Sequence, residues 1–311
     1  MPHLRDELET MVQQGLPGAF VYVEERDGNA WFFTAGYADL ASHRRMTPDS
    51  HYRISSTTKS FTAVVALRLV AEGQMTLHDT IQQWLPDLPI PNAETLTVEH
   101  LLRMRSGLAD FEETPTLLHN LEAHRRPYSS LEAIHLALAQ PATFAPGAQF
   151  AYCNTNFCLL EQIIERVSGQ SFATALQQRI FTPLSLRNSV YPKEADLTLP
   201  EPYIRGYEHT ASEWQECSEV FFGRGDGALI STALDQARFF RALFEGALLP
   251  ADRLRQMMIV TPDTPPARFA YGLGLIADPL PHGTVWGHPG GGYGYYNYAF
   301  FDRTSGRMVR L

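Results

Sequence analysis

The chain has 311 residues, 44% of them hydrophobic and 19% charged, enough apolar side chains for a large core in one big domain or two lobes. A formal net charge of −9 repels phosphate backbones and anionic lipid, which argues against nucleic acid or a membrane surface as a partner. The longest apolar run, 61–71, contains Arg68 and is too short to span a bilayer. The first residues carry no basic-then-apolar leader, and Cys153, Cys158 and Cys217 are an odd number. Both features predict reduced thiols and a cytoplasmic location.

Leu4, Leu8, Met11 and Val12 share one face of an opening helix that ends near Gly15. Strand-like runs over 19–25 and 30–36 flank the turn signal Arg26-Asp27-Gly28-Asn29 and predict a hairpin. A short strand over 51–54 leads into a helix over 56–72 whose apolar residues (Phe61, Val64, Val65, Leu67, Leu69, Val70) surround it almost completely, so it belongs in the interior. From about residue 77 to 215 the pattern turns helical with many proline breaks, with helices expected over 98–105, 131–139 and 156–168. Gly169 is the expected C-cap of the last. A further helix is expected over 234–244, and strands over 271–277, 284–286, 293–301 and 307–311.

Strands at both ends and helices between them predict an α+β fold. The sheet domain comprises residues 1–76 and 216–311, and the mainly helical domain comprises 77–215. Leu311 falls inside a strand-like run, a pattern expected equally of a terminal strand and of a chain that continues.

Three elements carry chemistry. In Ser56-Thr57-Thr58-Lys59, positions i and i+3 of a helix bring a hydroxyl beside an ammonium. Ser56 at the helix N-terminus lies where free N–H groups favour a developing oxyanion. Burial is expected to disfavour the charged form of Lys59 and let it act as a base. In Tyr152-Cys153-Asn154 the extended period of two points the phenol and the carboxamide one way and Cys153 the other. In Gly287-His288-Pro289-Gly290-Gly291-Gly292 the glycines admit close approach of another backbone, here a substrate's. No phosphate-binding, metal-ligating or G-x-S-x-G elbow pattern is present, so no cofactor and no metal are expected.

These elements, in this order, resemble the serine β-lactamase and penicillin-binding-protein superfamily, with its S-x-x-K, Y-x-N and K-T-G-like motifs. Similar stretches include Ser106-Gly107-Leu108 and Gly225-Asp226-Gly227-Ala228-Leu229, so the likeness runs from about Gly18 to the end. The resemblance implies an antiparallel sheet flanked by N- and C-terminal helices with a mainly helical insertion. It also implies an acyl-enzyme on Ser56, Lys59 as base or proton shuttle, and Tyr152 as second acid/base. Asn154 would hold the substrate's acyl-side amide, and an oxyanion hole would form from the N–H groups of Ser56 and Gly291.

The triplet here is His288-Pro289-Gly290. A histidine is a weaker cation than lysine, and Pro289 has no hydroxyl for a substrate carboxylate. That variant, with Ser-Gly-Leu-x-Asp and Tyr-Cys-Asn, is most similar to the D-aminopeptidase branch, which implies a small-molecule or short-peptide substrate. Asp226 and Glu112 are the candidate anions for its ammonium. The alternatives are a β-lactamase-type carboxylesterase, a D-Ala-D-Ala carboxypeptidase or β-lactamase, and a penicillin-binding or sensor module without turnover. Oligomeric state is left open, with a homo-oligomer allowed.

Overall fold

The computed structural model describes residues 2–118, 120–193, 196–211, 213–221, 223–260 and 269–311. Helix α1 (Pro2–Gln13) precedes the expected hairpin of β1 (Gly18–Glu24) and β2 (Ala30–Gly36). β3 (Tyr52–Arg53) leads through a 3₁₀ turn, Ser55–Thr57, into α2 (Thr58–Ala71). The middle of the chain carries α3 (Ile81–Trp84), α4 (Val98–Leu102), α5 (Leu121–His124), α6 (Ser130–Leu138), α7 (Thr155–Ser168), α8 (Phe172–Leu176) and α9 (Thr182–Leu184). A small hairpin, β4 (Tyr207–His209) and β5 (Trp214–Glu216), is followed by β6 (Ile230–Ser231), α10 (Ala233–Phe244) and α11 (Ala251–Met257). The last elements are β7 (Ala270–Tyr271), β8 (Ile276–Leu280), β9 (Gly283–Gly292), β10 (Tyr295–Asp302) and β11 (Arg307–Arg310).

The two ends of the chain build one antiparallel sheet in the order β2-β1-β11-β10-β9-β8-β7. β11 lies between β1 and β10 and so joins the N-terminal hairpin to the C-terminal strands. The alternation of β1 divides its residues between the faces. Val21 and Val23 meet Leu8 of α1, whereas Phe20 and Tyr22 face the main core. The run expected as one strand over 271–277 is two, because Gly274 at φ +65° turns the chain back between β7 and β8. That turn lies against α2, where Ser60 Oγ donates to Gly274 O at 2.8 Å.

α2 is buried on nearly every side, as its apolar residues require, and α7 packs against it. Gly169 caps α7 in the left-handed conformation. β3 pairs with β6, outside the large sheet, and this small ladder fixes where α2 begins. No helix among the described residues is long and apolar enough to cross a membrane. The three cysteines are buried free thiols.

Candidate active site

Ser56 sits in the 3₁₀ turn at the start of α2, directly after Ser55, whose backbone is left-handed at φ +46°. A side-chain-bearing residue there costs about 1 kcal/mol or more, and the surroundings hold it. Thr57 Oγ1 lies 3.0 Å from His288 O and 2.9 Å from Asn297 Oδ1. Asn297 Nδ2 donates to Ile54 O at 3.0 Å and to Gly290 O at 3.3 Å. These bonds clamp the turn to β9 and β10. A Cβ on Gly290 would overlap Ile54 O, so only glycine lets β9 run this close to the turn.

Lys59 is fully buried one turn further on. Its Nζ donates to Ser56 Oγ at 3.0 Å, Asn154 Oδ1 at 2.7 Å and the Asp226 carbonyl at 2.8 Å. All three ammonium protons therefore have an acceptor. Burial pulls the pKa of Lys59 down, but Tyr152, Asp226 and Asp110 around it outweigh burial and hold it above the ordinary lysine value. The sequence-based expectation that burial leaves Lys59 neutral is thus corrected: its neighbours keep it an ammonium. Tyr152, 37% exposed, places its ring centroid 5.0 Å from Lys59 Nζ.

Asn154 links this pair to an acid cluster. Its backbone N–H and its Nδ2 both donate to Asp110 Oδ2, at 3.0 and 2.9 Å. Burial raises the pKa of Asp110 to about 6, against the pull of those N–H bonds and of Lys59. Glu112, two residues on, is raised to about 8 by burial and by the carboxylates of Asp226 and Asp110. Cys153 faces away from the site, with its Sγ 3.6 Å from Leu108 O and from Ala109 O.

His288 is buried and engaged on both ring nitrogens. Nδ1 lies 2.6 Å from Pro289 O and Nε2 lies 3.2 Å from the Tyr271 hydroxyl. Burial and the Lys59 charge lower its pKa to about 3. It is a neutral wall residue rather than the weak cation that its place in the triplet suggests.

Two cavities meet at Ser56. The larger, about 480 Å³, is lined by Tyr152, Phe269, Ile276, His288, Tyr296 and Tyr298 among others. The smaller, about 250 Å³, is lined by Ser55, Glu112, His124, Asn154, Asp226 and Tyr293 among others. Ser56 and Gly291 border both. Ser55 Oγ in the smaller cavity is buried and has no hydrogen-bond partner. His124 Nε2 lies 3.4 Å from Glu112 Oε2 without the alignment of a hydrogen bond. No group of His, Cys, Asp or Glu able to hold a metal occurs among the described residues.

The structure brings Ser56, Lys59, Tyr152, Asn154, Gly290 and Gly291 together, with His288 buried in the wall of the larger cavity. Sequence reasoning assigned no role to the Thr57–Asn297 clamp, to Asp110 or to Glu161. Glu161 Oε2 accepts from Ser130 Oγ at 2.5 Å and from Gly225 N at 2.7 Å, which fixes the loop whose Asp226 carbonyl meets Lys59. A carboxylate among the apolar residues of α7 was the one signal for it.

This fold and a half-buried serine bonded to a buried lysine, beside an exposed tyrosine, define a serine hydrolase of the β-lactamase/transpeptidase fold. The chain belongs to the Beta-lactamase family, whose pattern matches residues 4–309. It is similar to the D-stereospecific amidohydrolase of Streptomyces sp., at 32% identity over 98% of this chain and 92% of that one, with a TM-score of 0.89. It is also similar to the D-amino acid amidase of Ochrobactrum anthropi SV3, at 28% identity over 99% and 89%, with a TM-score of 0.88. Among curated proteins, penicillin-binding protein 4* of Bacillus subtilis is 25% identical over 94% of this chain and 67% of its own length. Several other curated relatives are matched over only 29% to 59% of their length.

Proposed function

We propose that this protein hydrolyses D-aminoacyl amides or short peptides through an acyl-enzyme on Ser56. The observation that carries this reading is the smaller cavity, where Glu112 and Asp226 border the same space as Ser56. A free α-ammonium there meets a carboxyl group that is already short of counter-charge, and its arrival lowers the pKa of Glu112. The full-length similarity to a D-stereospecific amidohydrolase and a D-amino acid amidase supports the same class.

The geometry supports a role for each residue. Lys59, held as an ammonium, orients Ser56 Oγ and sets its charge 5.0 Å from the Tyr152 ring centroid. Tyr152 takes the Ser56 proton as Oγ bonds to the carbonyl carbon, and the backbone N–H groups of Ser56 and Gly291 hold the oxyanion. Tyr152 then passes that proton to the leaving nitrogen as the C–N bond breaks, and activates water in the second half-reaction. Asn154 positions Lys59 through its Oδ1. The three buried thiols favour a reducing compartment, the cytoplasm.

Ammonia release from D- and L-phenylalanine amide, measured beside p-nitrophenyl acetate hydrolysis, tests the reading. Preferential turnover of the D-amide is expected; ester turnover with no D-amide turnover sinks it and leaves the carboxylesterase. The carboxypeptidase and β-lactamase readings have less support, because His288 is buried and Pro289 offers no hydroxyl to a carboxylate.

A further inference from the structure

The two cavities differ in a way that assigns the halves of a substrate. Tyr152 borders the larger cavity and not the smaller, while Glu112, Asp226 and Asn154 border only the smaller. Whichever atom leaves must take its proton from Tyr152, so it departs on the Tyr152 side. The acyl half is then left with the 250 Å³ acid cavity, a space suited to a single aminoacyl group. The leaving half falls to the 480 Å³ cavity, which is within the range of small-ligand sites.

That larger cavity has an apolar and aromatic character. Phe269, Ile276, Tyr298 and Leu311 line it, and among its described lining residues none carries a charged side chain. His288, the imidazole in its wall, is committed to Tyr271 and Pro289. At the mouth stands Tyr296, 82% exposed. It lies on β10 opposite Gly291, close enough that a Cβ on Gly291 would lie 3.1 Å from the ring. A large aromatic surface left open to water beside a nucleophile gains by covering an apolar ligand.

We propose that this cavity is the leaving-group subsite, that it takes an uncharged amine or alcohol with an aromatic or branched aliphatic body, and that Tyr296 sets the preference. The inference rests on the acyl-enzyme reading above. In the step concerned, the Ser56 Oγ–C bond forms and the C–N or C–O bond breaks. The Ser56 proton passes through Tyr152 to the departing atom, so the product leaves the cavity as a neutral amine or alcohol. A leaving group that ends in a carboxylate meets no cation there and is discriminated against.

The test is a series of D-alanine amides whose departing amines grow in bulk, N-methyl, N-butyl and N-benzyl, with the first two matched in basicity and D-alanyl-D-alanine as the anionic member. A benzyl-over-methyl ratio in kcat/KM of about tenfold or more is expected, with the dipeptide poorest of all. Tyr296→Ala should cut that ratio about tenfold, Tyr296→Phe should keep it, and Tyr296→Arg should improve the dipeptide relative to the benzylamide. Calorimetric titration of the Ser56→Ala protein with the same compounds reads the preference without turnover. A flat series in both measurements, a ratio indifferent to Tyr296→Ala, or a dipeptide equal to the benzylamide overturns the proposal. Repeating the series on L-alanyl and acetyl groups separates the two claims: the benzyl preference without any D-aminoacyl preference keeps the subsite and removes the D-amidase reading.

Discussion

Two buried polar regions meet at Ser56, and they are built in opposite ways. Around Lys59 every proton has an acceptor: Ser56 Oγ, Asn154 Oδ1 and the Asp226 carbonyl each take one, and Asp110 and Glu161 fix those acceptors in turn. Across the smaller cavity the groups are left wanting. Ser55 Oγ is buried without a partner, His124 Nε2 is misaligned, and the Glu112 carboxyl holds its proton to about pH 8. A satisfied buried network is positioning machinery, because any rearrangement costs a hydrogen bond. An unsatisfied one marks a place where a ligand completes the hydrogen bonding.

Substitutions on the two sides should therefore fail differently. Ser56→Ala is expected to lower kcat by about 10⁴-fold or more with every substrate, as measured by steady-state kinetics. Tyr152→Phe should cost about 10²- to 10⁴-fold in kcat while changing KM little, because it removes a proton carrier and not a binding contact. An equal loss in KM would move Tyr152 out of that role. Glu112→Gln, on the unsatisfied side, should raise KM for D-aminoacyl amides by about tenfold to a hundredfold and leave acetyl esters nearly untouched. Similar losses for both substrates would erase the distinction between the regions.

The pH dependence sharpens the same contrast. Glu112 faces the carboxyls of Asp110 and Asp226, the ammonium of Lys59, and the side chains of His124 and Tyr128. Burial holds His124 below the usual histidine range. For a cationic substrate, kcat/KM should rise with pH through about 8 as Glu112 ionises, and Glu112→Gln should flatten that limb. Its folded pKa lies above the ordinary 4.5, so the folded state holds the proton more tightly than the unfolded chain. Stability from this group is complete below pH 4.5 and falls as pH rises toward 8. Thermal melts should accordingly show Glu112→Gln gaining on the wild type at pH 9 and not at pH 4. The smallest effect expected is on the clamp: Asn297→Ala should cost about 1–3 kcal/mol in unfolding free energy, read from denaturant melts.

What the sequence revealed follows the same division. Ser56 and Lys59 were legible because three residues on a helix make neighbours, and the N-terminal hairpin because its turn residues demand one. The charge state of Lys59 was not legible, because the neighbours that decide it, Tyr152, Asp226 and Asp110, are distant in the chain. His288 was overread for the same reason, since the Tyr271 hydroxyl that engages it belongs to another strand. The run over 271–277 reads as one strand from its apolar residues, and the turn at Gly274 is set by packing against α2. Glu112 and Asp226 were named from the sequence as candidate anions, but only the fold puts both beside Ser56.

The central claim is that Ser56 carries the acyl group and that Tyr152 moves the protons. The most direct measurement is intact-protein and peptide mass spectrometry of the Tyr152→Phe variant after exposure to D-phenylalanine methyl ester. The account predicts a D-phenylalanyl adduct on the peptide containing Ser56 that persists because deacylation is slowed. An adduct on any other residue, or ester hydrolysis retained in full by Ser56→Ala, would contradict it.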